Sequence, residues 1–193
     1  MPRRHSTTAL GSVTALCGLT ALALLILVST AVAEDAWETF VSENGHFSVA
    51  LPTQPSQQHK EKWFPISSFV STVYKSIVGN EVFGVNHTDI PGFAMAFASN
   101  DRVFQSSRKG FLEDSQATEV SYREIELLGR PGRELIYDIP PLGGRPAQRG
   151  TAKMFFQGNR LYIFYAEVTQ AIPAGDVQRF FDSILIQEPP KDG

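Results

Sequence analysis

His87 and Asp89 are the two residues whose types and spacing come closest to a chemical site. They lie two positions apart in residues 82–90, which have the composition of a β-strand, and residues two apart on a strand share one face. An imidazole beside a carboxylate suits a metal ion or a His-Asp couple. No third metal ligand lies nearby in the sequence, and His46 belongs to another predicted hairpin. We therefore expect a solvent-exposed strand face here and predict no metal site.

Other catalytic arrangements are poorly supported. A nucleophilic serine needs a positioning turn, but no Gly-x-Ser-x-Gly motif occurs, and Ser106-Ser107 falls within a predicted helix, where a polar surface is the simpler explanation. Glu124 and Glu126 share the polar face of a predicted strand, and carboxylates on a wet face are poorly suited to acid–base catalysis. Gly143-Gly144 has no following lysine or helix, unlike a phosphate-binding loop. We expect a protein that is not an enzyme and uses no cofactor.

Four arginines form the one local concentration of positive charge: Arg130, Arg133, Arg145 and Arg149. Such a group can contact an anionic protein, a cell-wall polymer or lipid headgroups. The alternative is ordinary charge at loops and strand ends. Arg145 and Arg149 are the candidate binding residues, because they flank or lie in the proline- and glycine-rich residues 140–146, which we predict to be a long exposed loop and a mobile arm.

An apolar cluster, Trp63-Phe64-Pro65-Ile66, follows the polar residues 54–62. We expect residues 54–62 to cross the surface as a loop or an edge strand. The apolar cluster is either an exposed interaction patch or a satellite core tucked under the sheet.

The first 33 residues have the pattern of a secretory signal peptide. Arg3 and Arg4 precede a long uncharged run, and Ala31-Val32-Ala33 supplies the small residues of a cleavage site. We predict cleavage after Ala33 and a periplasmic or extracellular mature protein, residues 34–193. The alternative is an uncleaved anchor, since the run approaches the ~20 residues that a membrane-spanning helix needs.

Composition narrows the classes of function further. Cleavage removes two of the 17 basic residues, none of the 20 acidic ones and the only cysteine, Cys17, which leaves a net charge of −5. A cysteine-free mature chain has neither disulfides nor a catalytic thiol. A negative charge without a long basic run argues against nucleic acid as a partner. The remaining ~160 residues suffice for a single domain with one core.

The strands read as antiparallel hairpins, and the most distinct one joins residues 150–157 and 160–168 through Gly158-Asn159. This turn pairs Phe155 with Tyr162 and gives the hairpin two apolar faces, so we expect it to be central and covered on both sides. One cover is an amphipathic helix in residues 174–183, whose predicted contacts are Val177, Phe180, Phe181 and Ile184.

The remaining segments complete a mostly antiparallel arrangement. We predict a helix that starts at a cap on Asn100 and that Gly110 ends or weakens. We also predict a type II turn at Pro131-Gly132. Strands are expected in residues 37–41, 46–51, 69–78, 82–90, 119–128 and 133–139. The order of strands, one helix, more strands and one helix indicates a single α+β domain.

Several of these segments together resemble a known group of proteins. The segments are W-E-T-F-V-S-E-N-G-H-F-S-V-A-L-P, I-E-L-L-G-R-P-G-R-E, R-L-Y-I-F-Y and R-F-F-D-S-I-L, within residues 37–187. They resemble secreted bacterial proteins with a PsbP-like fold, which is also similar to a Ran-binding nuclear import factor. The resemblance implies an antiparallel sheet between helices, an α/β/α sandwich.

The resemblance also carries an expectation about function. The photosynthetic members are extrinsic assembly subunits without catalysis of their own, which implies an exported binding or accessory protein whose partner is an unknown protein or envelope component. No functional residue of those members matches a position here. The alternative is a small-ligand or lipid carrier, or less readily an enzyme, with a pocket between sheet and helix.

Overall fold

The computed structural model of the protein describes residues 37–64, 67–97, 99–169 and 174–187. These residues form ten strands and three helices. In chain order they are β1 (Glu38–Ser42), β2 (Phe47–Leu51), β3 (Ser56–Phe64), β4 (Ser67–Val78), β5 (Glu81–Asp89), α1 (Gly92–Phe97), α2 (Asn100–Ser115), β6 (Thr118–Leu127), β7 (Arg130–Ile139), β8 (Gln148–Gln157), β9 (Arg160–Val168), α3 (Ala174–Asp182) and β10 (Leu185–Ile186).

The main sheet contains seven antiparallel strands in the order β3-β4-β5-β9-β8-β7-β6. It consists of two meanders, β3 to β5 and β6 to β9, which meet where β5 pairs with β9. The polar segment after Pro55 is an edge strand, one of the two predicted alternatives, since β3 pairs only with β4 in the described sheet.

The hairpin of β8 and β9 has the predicted register and the predicted burial on both faces. Phe155 pairs with Tyr162 and Met154 with Ile163, and all four side chains are buried. Gly158 has a φ of +58° in the turn, which a residue without a Cβ adopts at low cost. Alternation along the strands therefore sends one apolar set to each face of the main sheet.

One face of the main sheet is covered by a three-stranded sheet, β1-β2-β10, and by α3. The inward side chains of β2 are Phe47, Val49 and Leu51, all at most 1% exposed. Helix α3 adds Phe180 and Phe181 to the same core, as its spacing predicted. The first hairpin is therefore a separate covering layer and not part of the main sheet.

The opposite face is covered by α2 and by the short helix α1, which the sequence analysis did not predict. Helix α2 buries Phe104 against the sheet. Its cap is Ser99, whose hydroxyl accepts a hydrogen bond from the Arg102 amide at 3.3 Å, so the prediction of Asn100 was wrong by one residue. Gly110 does not end the helix, which continues to Ser115.

The turn between β6 and β7 differs from the prediction. It consists of Leu128 and Gly129, with φ of +52° and +72°, and β7 already begins at Arg130. Pro131 pairs with Glu126, one pair beyond the turn. That position lacks a backbone hydrogen bond to β6 in a two-residue hairpin, so a residue without an N–H is accepted there.

The architecture is an α+β sandwich built on an antiparallel sheet, as expected. Of the helices in the described ranges, none is both long and apolar enough to cross a bilayer. The predicted signal peptide, residues 1–33, lies outside the described residues, and so do the side chains of the Trp63-Phe64-Pro65-Ile66 cluster.

Candidate binding site

The loop between β7 and β8 is exposed, as predicted, but it is closed by a tight turn. Leu142 and Arg145 form a β-bridge across Gly143 and Gly144, whose φ values are +60° and +83°. Two consecutive glycines permit this left-handed turn at little steric cost. The loop therefore contains a defined turn at its tip, and its mobility stays a prediction.

A concavity of about 630 Å³ lies at the base of this loop. Its walls combine apolar and charged side chains: Thr118, Asp138, Ile139, Pro140, Pro146, Ala147, Gln148 and Arg149. Gln148 fixes one wall, because its buried amide donates to the carbonyl oxygens of Asn80 at 2.6 Å and Glu167 at 3.3 Å. Gln148 thus ties this wall to the turn between β4 and β5.

Arg149 reaches this concavity already paired with Asp138. Its Nε and Nη2 donate to the two carboxylate oxygens at 2.5 and 3.1 Å, and this hydrogen bonding raises the pKa of Arg149. Both side chains are about half exposed, and an ion pair in that environment stabilises a fold little. Arg145 lies in the turn that closes the loop, where it forms the bridge with Leu142. Both remain predicted binding residues.

The structure does not bring the four arginines together. Arg130 lies at the opposite end of β7, where its guanidinium donates to Gln157 at 2.6 Å. Arg133 packs over the Phe104 ring under α2 and forms an ion pair with Asp101. Arg149 pairs with Asp138, which lies eight residues along β7 from Arg130, so about 26 Å separate the two arginines along the sheet. The four arginines therefore do not form one patch, which agrees with the alternative of ordinary charge at loops and strand ends.

His87 is buried, contrary to the prediction of a solvent-exposed face. It is 5% exposed, and its ring lies 6.0 to 6.3 Å from the rings of Phe47, Tyr74 and Tyr162. Neither ring nitrogen has a hydrogen-bond partner within the described part of the chain. Burial, followed by the positive charge of Arg160, lowers the pKa of His87 from 6.5 to about 4. The alternation was correct, but β2 covers this face.

Asp89 lies on the same face and forms an ion pair with Arg160. The Arg160 guanidinium donates to both Asp89 carboxylate oxygens, at 2.5 and 2.7 Å, and this hydrogen bonding lowers the pKa of Asp89. A further Arg160 nitrogen donates to the Asn44 carbonyl at 2.7 Å, and the Tyr162 hydroxyl donates to the Gly45 carbonyl at 2.6 Å. Asp89 therefore pairs with the arginine that holds the β1–β2 turn, and it does not form a His-Asp couple.

The described residues contain no group of three metal-ligating side chains. His46 and His59 lie close enough to His87 to lower its pKa electrostatically. His59 instead bonds the buried Thr72 hydroxyl through Nδ1 at 3.2 Å. We therefore assign no metal to this cluster.

The other candidates occupy the surface. Ser106 and Ser107 lie in α2, with Ser106 exposed, and the Glu124 and Glu126 side chains are exposed on β6. Glu124 forms an ion pair with Arg133 at 2.9 Å. These positions agree with the polar surfaces that the sequence predicted.

A buried acidic residue, Glu167, was missed by the sequence analysis. It is 9% exposed, and it accepts a hydrogen bond from the buried Tyr137 hydroxyl at 3.1 Å. Burial raises the pKa of Glu167 and also that of Tyr137. The available signal was an acidic residue within the aromatic run L-Y-I-F-Y-A-E-V. Glu167 is absent from the walls of the concavity.

Comparisons with protein-family models and with curated proteins gave no match. The solution structure of cyanobacterial PsbP (CyanoP) from Synechocystis sp. PCC 6803 matches with a TM-score of 0.51 over 82% of this chain and 96% of that chain, at 15% identity. The chain has a PsbP-like fold. At this identity the likeness concerns the fold alone.

A second solved structure is that of PA94, a protein of unknown function from Pseudomonas aeruginosa. It matches with a TM-score of 0.31 at 11% identity, over 70% of this chain and 84% of that chain. We base no conclusion on that match. The PsbP-like fold agrees with the resemblance found in the sequence, and the concavity beside Arg149 is the surface feature that a function has to explain.

Proposed function

We propose that the protein is an exported, non-catalytic binding protein that acts as an accessory or assembly factor. One observation carries the proposal: large apolar side chains are buried on both faces of the main sheet. Phe47, Phe164 and Phe180 are fully buried on one face, and Leu135 and Met154 on the other. A ligand would have to displace these side chains to enter the sandwich, at a cost of several kcal/mol each. Binding is therefore expected at the surface.

The same packing weighs against the alternative of a small-ligand or lipid carrier. A carrier needs a cavity lined by large apolar side chains, and the large apolar side chains between the sheet and α3 contact one another. Phe164 and Phe180, for example, have ring centroids 6.4 Å apart, and Phe180 and Phe181 5.1 Å apart. We propose an unknown protein or envelope component as partner and no nucleic acid.

The concavity beside Arg149 supports one location for that surface. It combines apolar walls, Ile139 and Pro140, with the half-exposed Arg149–Asp138 pair. Interfaces pair a small apolar centre with a polar rim in the same way. Export is supported by the predicted cleavage after Ala33.

The test is site-specific photo-crosslinking in the native host. A benzophenone side chain replaces Leu142, which is 49% exposed beside the concavity, and a matched control replaces Leu128, which is 42% exposed at the opposite end of the sheet. We expect a discrete crosslinked species from position 142 and none from position 128. Arg149→Ala should reduce the yield.

Native mass spectrometry of the protein purified from that host tests the carrier alternative. A reproducible bound lipid or small molecule, together with no crosslink from position 142, would overturn the proposal in favour of a carrier. Crosslinks of equal intensity from both positions would show that the concavity is not the contact surface.

A further inference from the structure

The turn between β1 and β2, residues 43–46, is the part of the small sheet that reaches the end of the main sheet. It is held there by two side chains of β9: Arg160 bonds the Asn44 carbonyl and Tyr162 the Gly45 carbonyl. On its own strand, Ser42 accepts from the Gly45 amide and donates to the Tyr74 hydroxyl, each at 3.0 Å. A few polar contacts thus fasten the turn to the sheet.

His87 packs against residues that hold the turn or follow it. Phe47 follows the turn, and Tyr74 and Tyr162 make the hydrogen bonds just described. Both imidazole nitrogens lack a hydrogen-bond partner among the described residues. A neutral imidazole without partners is tolerated in an aromatic pocket, whereas an imidazolium there has to find an acceptor or water.

The charged groups around His87 do not offset the positive charge of a protonated ring. Arg160 faces it from β9, His59 from β3 and His46 from the end of the turn, and each of them disfavours a positive charge on the ring. Asp89 is the one carboxylate among these groups, and both of its oxygens already accept hydrogen bonds from Arg160. The faces of Tyr74 and Tyr162 offer only a weaker cation–π attraction.

We propose that His87 is an acid-sensitive latch, whose protonation releases the β1–β2 turn from the main sheet while the rest of the sandwich stays folded. The protonated ring gains water only if its cover moves away, and Phe47, which directly follows the turn, packs against the ring. Movement of the turn breaks the contacts of Arg160 and Tyr162 with the Asn44 and Gly45 carbonyls. It also frees Arg160 and Asp89 to reorient toward water.

The remaining contacts of the small sheet explain why the release is local. Val49 and Leu51 are buried on β2 well beyond the turn, and Ser183 bonds the Ala50 amide at 2.8 Å. These contacts involve no titrating group near His87. Acid therefore opens the turn end of the hairpin, and the other end stays in place.

The test is hydrogen exchange of the mature protein between pH 6.5 and 4.5, corrected for intrinsic exchange rates. If the opened turn restores the ordinary pKa of 6.5 in place of about 4, the opening constant of residues 43–47 rises about 40-fold over this range. His87→Leu should abolish the rise. Gln58→Ala, at an exposed position on the other face of β3, should retain it.

Two outcomes would overturn the latch. One is an equal pH dependence of residues 43–47 in the wild type and in His87→Leu. The other is an equal rise across all strands, which would mean global unfolding and no local release. If His87→Leu does not fold, an NMR titration of the wild type decides instead. The His87 ring and the turn amides should then share one midpoint well below 6.5, and a His87 midpoint at 6.5 would refute the proposal.

Discussion

Acid should destabilise this protein through His87 by an amount that the structure permits us to calculate. The pKa of His87 is about 4 in the folded protein and 6.5 as the reference value for the unfolded chain. Between these values the unfolded chain binds a proton and the folded protein does not. The free energy of unfolding is therefore fully retained above pH 6.5 and falls as the pH drops toward 4. Between pH 7.5 and 4.5 the loss is about 2.5 kcal/mol, since each pKa unit corresponds to about 1.4 kcal/mol.

The assay is urea unfolding at both pH values for the wild type and for His87→Leu. Carboxyl groups, including Asp89 with its lowered pKa, also lose stabilising interactions at low pH, but they titrate in both proteins. The difference between the two pH dependences therefore isolates His87. We expect the wild type to lose about 2.5 kcal/mol more than His87→Leu. The exposed Gln58 provides the control, and Gln58→Ala should follow the wild type.

The reasoning would be refuted if the wild type and His87→Leu lost the same free energy between pH 7.5 and 4.5. That result would mean that His87 titrates alike in the folded and unfolded states, and that its aromatic surroundings admit enough water to solvate the charge. Measurement of His87 by NMR in the folded protein would then give a pKa near its ordinary value.

Three further predictions concern stability. A Cβ on Gly150 would meet the Tyr137 ring at 2.1 Å, so Gly150→Ala should lower the free energy of unfolding by about 2 kcal/mol or more. Gly175→Ala, with no atom within 4 Å, is the control and should change it by less than about 1 kcal/mol. Ser99→Ala removes the cap of α2 and should cost about 1 kcal/mol, restored by Ser99→Asp. Glu167→Gln should increase the urea midpoint relative to the wild type more at pH 8 than at pH 5. The raised pKa of Glu167 means that the wild type loses stability as the pH rises and the buried carboxyl ionises, whereas the amide does not titrate. An equal difference between variant and wild type at both pH values would contradict this.

The sequence was most informative where neighbours in the chain are also neighbours in space. The Gly158-Asn159 turn sets the register of β8 and β9, and once Phe155 pairs with Tyr162 the alternation of a strand assigns every side chain to a face. The spacing of Phe180 and Phe181 likewise identified the buried face of α3. Local geometry alone decides such features.

Errors occurred where two local signals compete. Pro131-Gly132 resembles a type II turn, yet Leu128 and Gly129 form the turn and Pro131 lies in β7. Ser99 and Asn100 are both good caps, and the structure selects Ser99. In each case the predicted position differs from the observed one by one to three residues. The packing of the strand or helix decides between the two positions, and the local preferences of the residues do not contain that information.

The candidate site depended on tertiary structure to a greater degree. Arg130 and Arg149 are close in sequence but lie at opposite ends of the sheet, whereas Gln148 bonds the Asn80 carbonyl across 68 positions. The concavity beside Arg149 combines Thr118, at the start of β6, with walls from residues 138–149. No spacing in the sequence indicates it.

By itself the sequence determined the antiparallel α+β class, the central hairpin and the face on which each of its side chains lies. Only the tertiary structure decided that β2 closes over His87, that Arg160 occupies Asp89 and that Glu167 is buried beside Tyr137. The physical reason is that burial and charge pairing depend on contacts between segments far apart in the chain. A polar residue on a strand face looks the same in sequence whether water or another sheet covers it.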